Sequence, residues 1–282
     1  MYRLLVLFWA ILAICLVLGD GYVKSSTSLQ HRQFRDILQA SRKPAGEDII
    51  SKIFGAFLPT PESIGLSRFD SNSRPENYPA TKDEFAELLP EDKDDDVKLI
   101  RPLLAKTNLQ FRPLALAYSA NKDGWNMKAF HTKVDKKGPS LVLCRSKSGV
   151  VLGGYNPTGW VNLGEYRGSI AAFLFVYPKG AEKNAAPPIK LQKISGAGMA
   201  QVDDGSGPRF GSEGLTIALN KSNPKLARSK LGLYYERLPD GGNSLFGKGI
   251  MEDELTDLKV FVGVYGESER VPYSDAMFFQ IN

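Results

Sequence analysis

The sequence predicts an α+β domain with packed antiparallel β-sheets, preceded by an N-terminal extension. Two apolar runs, 141–144 and 150–152, are joined by the turn-forming residues 146–149, a pattern typical of a β-hairpin. A third run, 171–177, is apolar throughout and ends at Pro178, which predicts a strand buried on both faces. Short apolar strands with helices mainly on the N-terminal side favour this class over a parallel βαβ fold.

Glycines alternate with aromatic residues between the hairpin and the third run. Aromatic side chains supply large buried areas, and glycine lets backbone segments turn sharply or approach closely. These residues are Gly153, Gly154, Tyr155, Gly159, Trp160, Gly164, Tyr166 and Gly168. The stretch therefore predicts a scaffold for a core, and nothing in it resembles a reaction centre.

The remaining elements are shorter. Helical pieces are predicted for 97–104 and 112–118, and Asp123 is positioned to cap a helix over 125–131. Apolar or alternating runs predict further strands, the first of them at an edge of the sheet. These runs are 189–194, 215–219, 231–235, 260–265 and 277–281.

Composition excludes several classes of function. The 36 basic and 31 acidic residues are interspersed, and no basic cluster carries interleaved aromatics, so nucleic acid is not an expected ligand. Two cysteines and two histidines are too few for most zinc, haem or iron–sulfur sites. No glycine-rich phosphate-binding motif is present. We therefore expect no metal and no cofactor.

The N-terminus carries a candidate targeting segment. Residues 4–18 are apolar and follow Arg3, so residues 1–19 are interpreted as a signal peptide cleaved after Gly19 or as a membrane anchor. If the anchor is retained, the basic residues that follow could hold the domain in the cytosol. The expected location is the secretory pathway or a membrane, and the alternative is a plastid or cytosolic protein.

Residues 20–96 are interpreted as an extension of helical and low-order segments. Apolar residues at helical spacing predict an amphipathic helix over 47–57, which would dock on the domain or lie on a membrane. Thr81 and Glu84 form a capping box that predicts a helix ahead of residue 89. The acidic run 91–96 is expected to be a solvated segment that repels itself.

From residue 97 to residue 282 the order of features resembles the TLDc domain, found in oxidation-resistance proteins and their relatives. The matching residues include Trp125, Gly153, Gly154, Trp160, Gly168, Phe173, Phe175, Phe210, Gly211, Glu213 and Gly214. Three departures suggest a divergent, plant-type branch. Ser212 and Glu213 interrupt the family's glycine run, and Gly263 to Tyr265 replace its usual closing glutamate and tryptophan. Residues 230–246 replace the serine- and threonine-rich segment that usually precedes the closing strand.

The resemblance implies a sandwich of two antiparallel sheets flanked by short helices. It also implies a non-enzymatic interaction module for protection from oxidative damage, in several relatives through binding of the vacuolar proton pump. The family has no established catalytic mechanism, so no catalytic residue is carried over. The alternative hypothesis is an uncharacterised enzyme or redox sensor using Glu213 or Cys144.

Four features could carry chemistry. Cys144 could act as a redox sensor, or as a nucleophile with His131, but only if its thiol is accessible. Glu213 could be an acid/base group or could simply fix a glycine-rich turn. Residues 203–207 approach a calcium loop but lack its glutamate, so an ordinary surface turn is the alternative. Asn220 begins a glycosylation sequon that matters only if the chain is lumenal.

Overall fold

A computed structural model describes residues 73–177, 187–194 and 196–274, which belong to one unit spanning 69–282. The leader 1–19, the helix expected over 47–57 and the strand expected over 277–281 lie outside the described residues. The boundary expected at residue 97 stays a prediction. Among the described residues, no helix is both long and apolar enough to cross a bilayer.

The described elements are mainly short antiparallel strands. The helices are α1 (Asp95–Ile100), α2 (Ala120–Asp123) and α3 (Met127–Val134), with 3-10 turns at Pro75–Asn77 and Arg101–Leu104. The strands are β1 (Leu114–Ser119), β2 (Ser140–Ser146), β3 (Val151–Asn156), β4 (Glu165–Arg167), β5 (Phe173–Tyr177), β6 (Ile189–Gln192), β7 (Gln201–Asp203), β8 (Arg209–Phe210), β9 (Leu215–Ile217), β10 (Leu226–Arg228) and β11 (Glu252–Gly263).

Strand β11 connects the two halves of the strand order. The order is β4-β7-β8-β9-β10-β11-β2-β3-β5-β6, with β1 also paired to β11. One end of β11 pairs with β10, where Glu254 lies opposite Leu226. The other end pairs with β2, where Leu258 lies opposite Cys144. The pairings between these strands are antiparallel, which agrees with the predicted α+β class.

The predicted hairpin is confirmed as β2 and β3, whose close contacts explain two glycines. Gly153 pairs with Leu143, and a Cβ atom at Gly153 would lie 1.9 Å from the carbonyl oxygen of Val142. A Cβ at Gly154 would lie 2.8 Å from the ring of Phe210. Side chains at either position would collide with neighbouring strands, so glycine is required there.

Strand β5 is buried on both faces, as predicted. Leu174 and Val176 belong to a cluster built around Trp160, which we call the Trp160 cluster. Phe173, Phe175 and Tyr177 belong to a second cluster on the opposite face. Because side chains alternate along a strand, one apolar run supplies both cores. The second cluster also contains Ile100, Leu103 and Leu104 and is named the Ile100 cluster.

The acidic run 91–96 is held by hydrogen bonds and ion pairs, so the expectation of a solvated, self-repelling segment was wrong for Asp92 and Asp96. The carboxylate of Asp94 accepts hydrogen bonds from the backbone amides of Asp96 and Val97 and caps α1. Asp92 is buried and pairs with the buried Arg101 at 2.7 Å. Asp96 pairs with Arg145 of β2 at 2.6 Å and with Lys259 of β11. Asp92 and Asp96 therefore hold the segment in place, whereas Glu91, Asp94 and Asp95 are exposed.

Four predicted elements need correction. No helix follows Thr81 and Glu84. The piece predicted as a helix over 112–118 is β1, because its pairing with β11 outweighs the helix propensity of its alanines and leucines. No strand forms over 231–235, where Gly232 has φ of +97° and only Tyr235 makes an isolated bridge. The closing strand begins at Glu252, well before the predicted residue 260.

The prediction that Asp123 caps the helix now labelled α3 is also wrong. The side chain of Asn126 caps α3 by accepting from the amide of Ala129, and the helix extends to Val134. Asp123 instead accepts a hydrogen bond from the amide of Ser119, which closes the end of β1. The two capping residues lie three positions apart, and both types are good acceptors at a helix start.

Candidate functional site

The aromatic residues of the family pattern lie in the Trp160 cluster. The Trp160 ring is buried and makes edge contacts with Phe130 at 5.7 Å and Phe210 at 5.8 Å between ring centroids. Gly154 lies beneath Phe210 and permits that approach. On the opposite face, Phe173 stacks on Tyr155 at 5.4 Å. These residues form the core and leave no reactive group exposed.

The turn around Glu213 is fixed by glycines and one ion pair. Gly211 has φ of +65°, a left-handed conformation that favours glycine. A Cβ at Gly214 would lie 2.7 Å from the carbonyl oxygen of Phe210. The Glu213 carboxylate pairs with the Lys230 ammonium at 2.9 Å, and the Lys230 side chain is 57% exposed. The contacts of Glu213 are therefore those of a residue that holds a turn.

The other two residues of the family pattern lie nearer the surface, Trp125 half-buried and Gly168 exposed. The indole nitrogen of Trp125 donates to the Asn121 side chain at 3.0 Å, and the Lys225 ammonium lies 5.3 Å from the ring centroid. A Cβ at Gly168 would lie 3.2 Å from the carbonyl oxygen of Ala197. Trp125 is thus anchored at its polar edge, and Gly168 permits a close backbone approach.

Cys144 lies in β2 with no exposed surface. Burial raises the pKa of its thiol well above the usual range, and the nearby charge of Asp257 acts in the same direction. A redox sensor or thiol nucleophile needs an accessible group with a low pKa. The structure therefore gives neither hypothesis support, and Cys144 acts as a small core residue.

His131 is engaged elsewhere, so it does not serve Cys144 as a base. Its Nδ1 lies 2.9 Å from the carboxylate of Asp135, and its Nε2 lies 2.8 Å from the carbonyl oxygen of Ser206. Both partners are acceptors, so the imidazolium is the form that satisfies both. Burial lowers the pKa of His131, but the hydrogen bond and charge of Asp135 outweigh it and raise the pKa overall.

The acidic turn 203–207 is saturated by protein contacts. The Asp203 carboxylate accepts from the amides of Val161 and Asn162, both at 2.9 Å, and burial raises its pKa. Asp204 pairs with Arg209 at 2.8 Å. Within the described ranges, no group of three or more histidine, cysteine or acidic side chains could hold a metal ion. The turn has a structural role.

Asn220 is exposed in a turn before β10. Its side-chain oxygen accepts hydrogen bonds from the Ser222 hydroxyl at 3.0 Å and from the amide of Asn223 at 2.9 Å. The sequon therefore lies at the surface, although its acceptor side chain takes part in a local turn.

An apolar groove of about 520 Å³ opens on the surface of the described residues. Leu245 and Phe246 are almost fully buried at its floor, while Ile250 is 50% exposed. Asp240 is the one ionisable side chain in its lining. The lining residues are Ser148, Val150, Val176, Ile189, Leu238, Pro239, Asp240, Leu245, Phe246, Gly247 and Ile250. This groove can bind apolar side chains, and the Ser148 hydroxyl in its lining donates a hydrogen bond to the Asp253 carboxylate.

Sequence reasoning missed this groove. The apolar pair Leu245 and Phe246 follows the turn-forming residues 239–243, which is a recognisable signal for a buried corner. The groove also needs Val176 of β5 and Ile189 of β6, and no local pattern indicates that these strands meet residues 238–250.

Together, the fold and the groove define a class of β-rich domain with a glycine-dependent aromatic core and an apolar groove at its surface. The model of the TLDc domain matches residues 93–233, half of the chain, and the chain belongs to that family. This membership links it to a family that acts in the oxidative-stress response through protein interaction. No curated protein matches the chain significantly. The matched region ends before residues 238–250, which supply more than half of the groove lining.

Proposed function

We propose that the chain is a non-enzymatic interaction module for protection from oxidative stress, and that the apolar groove binds its protein partner. The observation that carries this proposal is a half-exposed Ile250 beside a floor of buried apolar side chains. Apolar depressions on a soluble domain favour binding of a partner's apolar anchor residues. Asp240 at the rim favours a partner whose anchor is flanked by a basic residue.

Subunits of the vacuolar proton pump are the partner class that we propose. The family match supports this choice, because pump binding is a property of several TLDc proteins. The test is capture of pump subunits by the full-length protein, compared with the variant Ile250→Glu. A buried carboxylate without a partner opposes binding, so we expect at least a tenfold loss of captured pump.

The matched control is Val264→Glu, because Val264 is 47% exposed and lies outside the groove lining. It should capture pump subunits as the wild type does. Equal capture by wild type and Ile250→Glu would exclude the groove. Failure of the wild type to capture the pump would exclude this partner class.

We also propose a location for the domain. Residues 1–19 target the chain to a membrane or to the secretory pathway, and an anchored domain facing the cytosol could meet the pump. The sequon at Asn220 reports the orientation, since its side chain is exposed. If the domain is lumenal, the wild type should carry a glycan that a glycosidase removes, and Asn220→Gln should lack that added mass. If the domain is in the cytosol or a plastid, or faces the cytosol from a membrane, neither protein should carry the glycan.

For the fold itself, we infer two facing antiparallel sheets that share β11. The contact between Phe210 of β8 and Trp160, with Leu174 of β5 in the same cluster, supports this arrangement. It requires the strand order to bend at β11, so that β7 to β10 lie over β2, β3 and β5.

A further inference from the structure

Lys190 is a basic side chain inside the fold with no acidic partner in contact. It is 4% exposed in β6, and its ammonium donates to the carbonyl oxygen of Glu84 at 2.9 Å and to the Thr81 hydroxyl at 3.3 Å. Within the described residues, no carboxylate lies within ion-pair distance of it. Burial lowers the pKa of Lys190 to about 8, although the charges of Glu84 and Asp83 act in the opposite direction. A bound anion closer to the ammonium would favour its charged form further.

Lys190 lines a pocket of about 530 Å³ beside the edge strand β6. Lys82 and Arg237 also line it, and Glu236 is its one acidic residue. The Glu236 carboxylate is already used, because it accepts from the ammonium of Lys82 at 2.5 Å and from the amide of Gln192 at 3.1 Å. Three cations and one carboxylate leave an excess of two positive charges.

Arg237 is an exposed cation of the pocket. Its guanidinium makes no hydrogen bond or ion pair with the residues that the structure describes. A guanidinium offers a planar fork of donors that matches phosphate oxygens. The pocket therefore combines the guanidinium of Arg237 at its surface with the buried residue Lys190 in its wall. The Lys190 ammonium donates to oxygens of Thr81, Glu84 and Leu103, so it adds positive charge near the pocket without being an open donor.

We propose that the pocket lined by Lys82, Lys190, Glu236 and Arg237 binds a phosphate group as its dianion. A phosphate monoester carries close to two negative charges near neutral pH, which matches the excess charge of the pocket. Arg237 binds the phosphate oxygens directly, while Lys190 and Lys82 supply the surrounding positive charge. This site does not depend on the proposed apolar groove, so either can fail without the other.

The test is titration of the full-length protein with inorganic phosphate at pH 7.5, followed by calorimetry, with ionic strength held constant by sodium chloride. We expect saturable binding by the wild type and about a tenfold or greater loss in Arg237→Gln. The matched control is Arg228→Gln, since Arg228 is an exposed arginine on β10 outside the pocket. It should bind phosphate as the wild type does. Absence of saturable binding, or equal binding by Arg237→Gln and wild type, overturns the proposal.

A second measurement avoids the risk that a Lys190 variant fails to fold. In the wild type, the ¹³Cε resonance of Lys190 should titrate at a higher pH with phosphate than with chloride, because the bound anion favours the ammonium. An unchanged Lys190 titration overturns the proposal. Tighter binding of a phosphoserine peptide than of inorganic phosphate would identify the ligand as a phosphorylated protein. Equal affinity for the two would identify it as a small phosphate compound.

Discussion

The two faces of the central sheet are held together by different forces. The Trp160 cluster is built from aromatic edges and glycines that allow close approach, as at Gly154 beneath Phe210. The Ile100 cluster is covered by the segment that contains α1, and ion pairs fasten this segment to the sheet. The stability of the Trp160 cluster therefore depends on close packing. The stability of the Ile100 cluster depends also on the ion pairs at its edge.

This difference predicts different responses to mutation and to pH. Close-packed contacts fail when volume is added, whereas buried ion pairs fail when one partner is removed. The predictions below test the contrast, beginning with the largest expected effect.

Loss of Arg101 should produce the largest effect. Arg101 and Asp92 are both buried, and Arg101 also donates to the carbonyl oxygens of Leu109 and Arg112 at 2.8 and 3.0 Å. Arg101→Met leaves a buried carboxylate without its partner, so we expect the free energy of unfolding to fall by about 3–5 kcal/mol. Denaturant titration measures this change.

Two controls define the origin of that loss. Arg228→Met removes an exposed ion pair with Glu252 and should change stability by about 1 kcal/mol or less. The double variant Asp92→Leu with Arg101→Met removes both charges and should recover part of the loss. If the double variant is as unstable as Arg101→Met, the uncompensated charge is not the cause.

On the other face, Gly154→Ala should destabilise by about 3 kcal/mol, near the upper end for overpacked cores. The added methyl group would lie 2.8 Å from the Phe210 ring and 2.9 Å from the Leu174 side chain, so the core must shift to admit it. Gly198→Ala is the control, because nothing lies within 4 Å of a Cβ there. Equal melting temperatures for Gly154→Ala and the wild type would contradict a shape-dependent core.

The same contrast explains what sequence could and could not predict. The hairpin of β2 and β3 and the doubly buried β5 were predictable, because apolar periodicity and turn residues are local signals. The family residues in the core, such as Trp160, were predictable for the same reason.

Charged residues were harder, because their environment depends on contacts distant in sequence. Asp96 finds Lys259, 163 residues later in the chain, and nothing in the acidic run indicates that partner. Lys190 lies between Ile189 and Leu191, where alternation predicts an exposed side chain, but residues 81–103 cover it. The groove likewise depends on strands that meet residues 238–250 only in the folded chain.

A pH scan should separate two charged contacts, because one loses its stabilisation in acid and the other loses it as pH rises. The Asp96 pKa is lowered overall: burial opposes the shift, and hydrogen bonds from Lys259 and Arg145 outweigh it. Stabilisation by Asp96 is thus complete above its unfolded pKa, near 3.8, and is lost as pH falls through the folded pKa. His131 has a raised pKa, so its stabilisation is complete below the unfolded value of 6.5 and is lost as pH rises through the folded value.

The measurement is the difference in unfolding free energy between wild type and His131→Gln across pH 5.5 to 9. We expect it to shrink with rising pH by about 1 kcal/mol, the usual net contribution of one hydrogen bond. Asp135, Asp203 and the Arg167 that faces Asp203 at 3.6 Å are the charged groups around this site. A difference that is flat across this range would mean that the His131 pKa is the same in the folded and the unfolded chain, which would contradict the raised value.

The smallest effect is expected at Glu213, and it tests the remaining enzymatic hypothesis. The Glu213 side chain is 33% exposed and pairs with a mostly exposed Lys230, so Glu213→Ala should lower stability by less than about 1 kcal/mol. Lys230→Ala should have the same small effect, because it removes the same pair. If Glu213 only holds the turn, both variants should keep wild-type protection against oxidative stress. Loss of protection in Glu213→Ala alone, with an unchanged melting temperature, would instead assign the carboxylate a chemical role that Lys230 does not share.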